Sequence, residues 1–187
     1  MKERRNQGAV TLEACISVLS FLILMLLLSS LFILFMAQNA TAHAVLETSE
    51  SLSLDVYAIE CLMKEDGKLG TLSANLGQFI TKLFGSSDNN PHFVTNDRWY
   101  NGDADKIAAA VKTRFIGYLA GGDETEADEM LIRMNVVDGL DGLDFSGSYV
   151  ANDTLYIVLK YKLEYDFNIW DLGTIDVEQT ACSKLWK

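Results

Sequence analysis

The chain has 187 residues, with 15 Lys or Arg against 26 Asp or Glu, and its formal net charge is −11 at pH 7. Nucleic-acid binding through phosphates needs clustered Lys and Arg, so this acidic balance argues against a nucleic-acid partner and against adhesion to anionic membrane surfaces. The three cysteines and two histidines form no Cys-x-x-Cys or Cys/His cluster of the kind that holds zinc or carries redox chemistry. We therefore expect no metal site and no cofactor.

The first 37 residues join a basic leader to a long apolar run. Residues 14–37 carry no charge and are mostly Leu, Ile, Phe, Val or Met. This run exceeds the roughly 20 residues that a helix needs to cross a bilayer core, and it is longer than the apolar core of a cleaved secretory signal, which is the weaker alternative. Because Lys2, Arg4 and Arg5 precede the run, the positive-inside rule predicts a cytoplasmic N-terminus, with the chain after about Gln38 outside.

Glu13 stands one residue before the uncharged run. A carboxylate close to hydrocarbon costs on the order of a few kcal/mol, so such a residue suggests a function. Four uncharged residues separate Glu13 from Gly8, which follows the basic pair Arg4-Arg5. The alternative interpretation is an interfacial acid in a plain membrane anchor.

This order of a basic leader, Gly8, four uncharged residues, Glu13 and a Leu-rich helix resembles the prepilin signal of type IV pilin-like proteins. It is most similar to the TadE-like pseudopilins of tight-adherence pili, over about residues 4–38 and only loosely beyond. The chain departs from ordinary pilins in having Ala9 where they carry Phe, and its only proline is Pro91, far from the helix.

The resemblance implies that a membrane prepilin peptidase cuts between Gly8 and Ala9 on the cytoplasmic side. The freed amine of one subunit would then pair with Glu13 of its neighbour, so that two charges that are each costly in lipid offset one another. The implied partners are the prepilin peptidase, other pilin or pseudopilin subunits, the pilus assembly machinery and the membrane.

The pattern predicts four regions, namely a leader at 1–8, a transmembrane helix at 9–37, an extracellular continuation of that helix at 38–64 and a globular domain at 65–187. The continuation contains no Pro or Gly, and its apolar residues recur at helical spacing. We expect its inner stripe to be Ala42, Val45, Leu52, Val56, Ile59 and Met63, with Ser49 as a gap. Glu47, Glu50 and Asp55 are expected to lie off that stripe.

In the globular domain we predict a short helix at 72–84, a brief strand at 92–94 and a helix at 104–120, with Asp103 as its N-cap and Gly121 after it. Residues 123–128 are expected to form an acidic connector. Strands are predicted at 130–137, 143–150, 154–167 and 174–186, joined by short turns. The expected fold class is α+β, with a four-stranded antiparallel meander packed on the helices.

No pattern indicates catalysis, so an enzyme is not expected. His43 and His92 lack a nucleophile partner in the sequence, and no nucleophile elbow, phosphate-binding loop or His-Glu-x-x-His motif occurs. Asp138, Asp141 and Asp144 could collect calcium, but turn chemistry explains them as well and the EF-hand spacing is missing.

Two further features stay open. A disulfide between Cys61 and Cys182 would tie the long helix to the last strand, although two cysteines alone do not decide it. Trp170 could belong to an exposed contact patch, although core packing explains it better.

The sequence predicts a structural pseudopilin or minor pilin. The alternative is an uncleaved single-pass anchored extracellular binding module, and an anchored hydrolase is the weakest option.

Overall fold

The computed structural model describes residues 2–64, 92, 98–165 and 173–186, without the side chains of 2–9, 58 and 61–64. These residues form an α+β arrangement of three α-helices, a 3-10 turn at Trp99–Asn101 and three strands. The helices are α1 (Lys2–Lys64), α2 (Ala104–Ala120) and α3 (Glu124–Arg133), and the strands are β1 (Tyr149–Ala151), β2 (Thr154–Glu164) and β3 (Thr174–Lys184). The helix predicted at 72–84, Phe93 and Val94 of the predicted short strand, and Trp170 lie outside the described residues.

Helix α1 is a single rod of 63 residues, which at roughly 1.5 Å per residue is about 95 Å long. Its segment Val10–Tyr57 reaches a mean hydropathy of 2.9 in its most apolar window, only 11% of which is buried inside the protein. The predicted long apolar N-terminal helix is therefore confirmed. By length and composition it could cross a membrane.

Burial divides α1 into two halves. No residue between 10 and 29 is buried, whereas from Ser30 onward one face is covered by the rest of the chain. Val45, Leu52 and Val56 of the predicted inner stripe are buried, as expected. Ala42 of that stripe is exposed, and Asp55, which we expected off the stripe, is buried. The covered face consists of Ser30, Leu34, Ala37, Thr41, Ala44, Val45, Thr48, Ser49, Leu52, Ser53, Asp55 and Val56.

The strands form an antiparallel sheet in the order β1-β2-β3, with Tyr156 of β2 opposite both Tyr149 and Cys182. As predicted from its alternation, β2 buries Leu155, Ile157, Leu159, Tyr161 and Leu163. Strand β3 runs along α1 in the same direction, since Gln179 Nε2 donates to the Gln38 carbonyl at 3.0 Å and Ser183 Oγ donates to the Ser49 carbonyl at 2.7 Å. The core lies between this face of the sheet, α1 and α2.

Helix α2 has the predicted bounds, and it ends where Gly121 adopts a left-handed conformation at φ 65°. The strand predicted at 130–137 is wrong, because α3 occupies Glu124–Arg133. The carboxylate of Asp123 accepts the backbone N–H groups of Thr125 and Glu126, which caps the helix. The alternation of apolar residues over 130–137 is too short to distinguish a strand from a helix, and the N-terminal cap at Asp123 favours the helix.

The strand predicted at 143–150 is also largely wrong, because only its last two residues belong to β1. Asp144 makes a single antiparallel bridge to Lys160 of β2, and its Oδ1 then accepts the Ser146 N–H at 2.8 Å. This local side-chain bond turns the backbone away from the sheet. The described residues therefore build a three-stranded meander where we predicted four strands.

Candidate functional site

The candidate site is the half of α1 that the rest of the chain leaves uncovered. It is considered together with the polar contacts that attach the rest of the chain to the other half of α1. Gly8 and Ala9, the predicted cleavage residues, lie in helical backbone near the start of α1. Glu13 follows one turn later and is exposed. It is the only charged residue between positions 10 and 29.

The neighbours of Glu13 are large, apolar and exposed. Leu12 is 64% exposed and Ile16 57%, and similar values continue through Phe21 and Leu28. Apolar surface in water is unfavourable by about 25 cal/mol per Å², and contiguous patches of this size mark membrane or protein contacts. This half of α1 is therefore suited to being covered by lipid or by other helices.

A buried polar network joins the covered half of α1 to the sheet. The Tyr161 hydroxyl lies 2.9 Å from Thr41 Oγ1, and Gln179 Nε2 donates to the same hydroxyl at 3.2 Å. Burial raises the pKa of Tyr161, and the hydrogen bond with Thr41 partly opposes that rise. These bonds attach β2 and β3 to α1 at Gln38 and Thr41.

A buried ion pair fixes α2 against α1. Arg114 donates to the carboxylate of Asp55 and to the hydroxyl of Ser51, and the side chains of Arg114 and Asp55 are only 1% and 7% exposed. Sequence reasoning missed this pair, although Arg114 lies at helical spacing with the apolar residues Ile107 and Val111. Each of these buried charges depends on the other, because removing one would leave the other desolvated and unpaired, which is unfavourable.

The far end of α1 has its own contact. Tyr100, in the 3-10 turn, donates its hydroxyl to Glu60 Oε1 at 2.6 Å. Burial, followed by the hydrogen bond and the negative charge of Glu60, raises the pKa of Tyr100 to about 12. This contact and the Arg114–Asp55 pair hold the outer half of α1 in a fixed relation to the globular part.

The histidines make simple contacts. His43 is exposed, with Nε2 3.7 Å from Glu47 Oε1 one turn away. His92 Nδ1 donates to the Thr113 carbonyl at 2.8 Å. Neither arrangement suggests a catalytic base acting on a bound substrate.

Asp138 and Asp141, two of the three aspartates considered for calcium, lie in turns, and Asp144 forms the bridge to Lys160. Asp138 has a positive φ of 59°, and Asp144 accepts hydrogen bonds from Ser146. Hydrogen bonds from the Ser146 side chain and backbone, with a smaller effect of Lys160, lower the pKa of Asp144. Among the residues that the structure describes, no group of three or more His, Cys, Asp or Glu side chains could hold a metal ion.

The described geometry disfavours the Cys61–Cys182 disulfide. Cys182 has a free thiol on the exposed face of β3, while its neighbour Ser183 points to Ser49 of α1. Cys61 is 12 residues beyond Ser49 on the same helix, about 18 Å along the axis, whereas a disulfide needs Cα atoms within about 7 Å. The side chain of Cys61 is outside the description, so no sulfur–sulfur distance tests this possible pairing.

The described residues thus combine an exposed apolar helix that carries one acid with a globular part attached to its outer half. The exposed helix can anchor the chain and pack against other helices. The polar contacts described above fix the globular part rigidly on the outer half of α1. Comparison of the chain with protein-family models, with curated proteins and with solved structures finds no match.

Proposed function

We propose that this protein is a TadE-like pseudopilin or minor pilin, a structural subunit of a tight-adherence pilus. In this proposal a prepilin peptidase cuts after Gly8, and α1 inserts in the cell membrane with its N-terminus in the cytoplasm. The acidic α+β part then faces outward. The single observation that carries the proposal is the uncovered half of α1, residues 10–29, with Glu13 at its inner end.

The dimensions of this segment support insertion. Residues 10–29 are about 30 Å long at roughly 1.5 Å per residue, which is the thickness of a bilayer hydrocarbon core. This is shorter than the span of 9–37 expected from hydropathy alone, because Ser30, Leu34 and Ala37 are buried against the globular part. One face of residues 30–37 is therefore occupied by protein.

The position of Glu13 supports assembly by charge pairing. A lone carboxylate near hydrocarbon is unfavourable, and a cationic partner from outside the helix would relieve it. The amine that cleavage creates at Ala9 is such a partner if it comes from a second copy. The pair would then set the stagger between neighbouring helices.

Cleavage is tested by intact mass of the protein from cells that express a prepilin peptidase. We expect loss of residues 1–8, abolished by Gly8→Leu and retained in the control Gln7→Ala. Glu13→Ala should still be cleaved and inserted but fail to co-purify with pilus components, whereas the exposed control Glu164→Ala should assemble normally. Full-length protein, unaffected by substitution of Gly8, would instead favour the uncleaved anchored binding module.

A further inference from the structure

The contacts between β3 and α1 show beside which part of the rod the sheet ends. Gln179 Nε2 donates to the Gln38 carbonyl, and from this contact β3 extends back toward the uncovered half of α1. Ile175 lies before Gln179 by about 13 Å of extended strand, a length that matches about nine residues of helix. The start of β3 therefore lies beside residues 29–30 of α1, where coverage of the rod begins.

Partial burial on α1 indicates that the rest of the chain reaches slightly further along the rod. Among residues 10–29, Ile23 and Leu27 are half-buried, whereas the others are exposed. These two side chains lie one helical turn apart and continue the covered face that includes Ser30 and Leu34. In the proposed orientation, the globular part thus extends down to the edge of the hydrocarbon core. This step rests on the proposed function, because it takes the insertion of α1 from there.

The end of α3 belongs to the same end of the globular part. Val136 makes an antiparallel bridge to Leu163 of β2, and Leu163 is opposite Ile175 of β3. Ile132 lies in the last turn of α3, one helical turn before Val136, and it is 55% exposed. A large aliphatic side chain is therefore exposed at the end of the globular part that lies beside the hydrocarbon edge.

The exposed apolar side chains of the globular part divide between the two ends of the sheet. Among the described residues outside α1, the large ones are Ile132, Tyr149 and Trp186. Tyr149 and Trp186 lie at the far end, near Ser183. A single exposed apolar side chain surrounded by water needs no explanation, but one beside the hydrocarbon edge has an apolar environment within reach.

The charged side chains near Ile132 fit a layer of phospholipid headgroups. Arg133 follows it directly, and Lys162 lies on the same end of β2, with side chains that are 72% and 62% exposed. Their acidic neighbours are Glu129, at 3.7 Å from Arg133, and Asp176, at 4.0 Å from Lys162. Exposed pairs of this kind contribute little stability, so the cations can turn to phosphates. A zwitterionic headgroup carries both signs of charge, as this surface does.

We propose that this end of the globular part rests in the headgroup layer of the bilayer that α1 crosses. Ile132 is inserted toward the hydrocarbon, and Arg133 contacts the lipid phosphates. Long cationic side chains keep their charge in the polar layer while their stems lie against apolar groups. The contact restrains the tilt and the rotation of α1 in the membrane, which a lone helix leaves free.

The test measures the depth of single fluorescent labels in the full-length chain, in phosphatidylcholine nanodiscs that each hold one chain. The native cysteines are first replaced by Ser. The label is then attached at Ile132→Cys or, as the matched control, at Tyr149→Cys, which is similarly exposed but roughly 30 Å further from the hydrocarbon edge. Lipids with a nitroxide on the headgroup should quench the label at position 132 at least about twofold more strongly than the label at position 149.

A charge reversal tests the cationic contact. Arg133→Glu should reduce the quenching at position 132, because it places a carboxylate at the lipid phosphates. Lys184→Glu, at the far end of the sheet, is the control and should leave that quenching unchanged. Equal quenching at positions 132 and 149 overturns the proposal.

A label at Leu22→Cys, in the uncovered half of α1, separates this inference from the proposed function. Quenching at Leu22→Cys by a nitroxide deep in the acyl chains, without headgroup quenching at position 132, overturns the inference and leaves the insertion of α1 in place. Absence of quenching at both positions overturns both. Because each nanodisc holds one chain, a second copy cannot account for a positive result.

Discussion

The two halves of α1 differ both in composition and in surroundings. No residue of 10–29 is buried, although Ile23 and Leu27 are partly covered, whereas from Ser30 the sheet and α2 cover one face. The outer half also contains buried polar groups, including Thr41, Ser49 and Asp55, that the inner half does not contain. The inner half is thus suited to a uniform apolar environment, and the outer half to a specific protein partner with defined hydrogen bonds.

In the proposed orientation, a single helix serves two solvents. In lipid, a helix satisfies its own backbone and needs only apolar side chains. Against a folded domain, the same helix can bury a hydroxyl or a charge wherever the domain supplies a partner, as Tyr161 does for Thr41 and Arg114 for Asp55. Changes in the two halves should therefore have different consequences.

The largest effect is expected in the outer half. Asp55→Ala would leave Arg114 buried without its carboxylate, and the free energy of unfolding should fall by about 3–5 kcal/mol. Denaturant unfolding of the full chain in detergent, followed by tryptophan fluorescence, measures this. The control is Glu129→Ala, which breaks the exposed ion pair with Arg133 and should cost less than about 1 kcal/mol. Equal costs would contradict the structural role of the buried pair.

In the inner half, a charge should impair insertion and not folding. Leu22→Arg introduces a cation near the middle of residues 10–29 and should make membrane insertion less favourable by about 2.5–3.5 kcal/mol. A glycosylation reporter that measures the inserted fraction tests this. Leu54→Arg is the control, since Leu54 is similarly exposed but lies in the outer half. If both variants inserted equally well, the division at Ser30 would not mark a membrane boundary.

The smallest effect is expected at the far end of α1. The pKa of Tyr100 is raised from 10.0 to about 12, so the folded state keeps a proton that the unfolded state loses. The resulting stabilisation is fully present below pH 10 and is lost as the pH rises toward 12. Titration of tyrosinate absorbance should show late steps from Tyr100 and Tyr161, whose pKa values are both raised, and Tyr100→Phe should remove only its own. Glu60→Gln should move that step to lower pH; an unchanged step would exclude the Glu60 contact.

Much of the fold could be predicted from local patterns. Helix α2 has the predicted bounds, with Asp103 at its N-cap position but without a side-chain cap hydrogen bond, and with Gly121 ending it in a left-handed conformation. Strand β2 follows from an uninterrupted alternation. The acidic connector predicted at 123–128 is wrong, because these residues form the cap and the first turns of α3, which has few apolar residues. The spacing of Asp123 and Glu126, which is typical of a capping box, was the available signal.

The candidate site was predictable in part. The sequence indicates Gly8, Ala9 and Glu13 by their spacing between a basic leader and an apolar helix. Their roles in cleavage and assembly stay predictions. The Arg114–Asp55 pair could not be found in this way, because the two residues are 59 positions apart and each alone is typical of a solvated helix face. Only the packing of α2 on α1 brings them together.

The sequence by itself determined that the chain has a long apolar N-terminal helix followed by an acidic α+β part, because hydrophobic period and run length depend only on neighbouring residues. The tertiary structure decided where along α1 the uncovered half ends, which face of the outer half stays exposed, and which polar side chains are buried. Those features depend on contacts between distant segments, and the free energy of a buried charge or hydroxyl is set by the partner that reaches it.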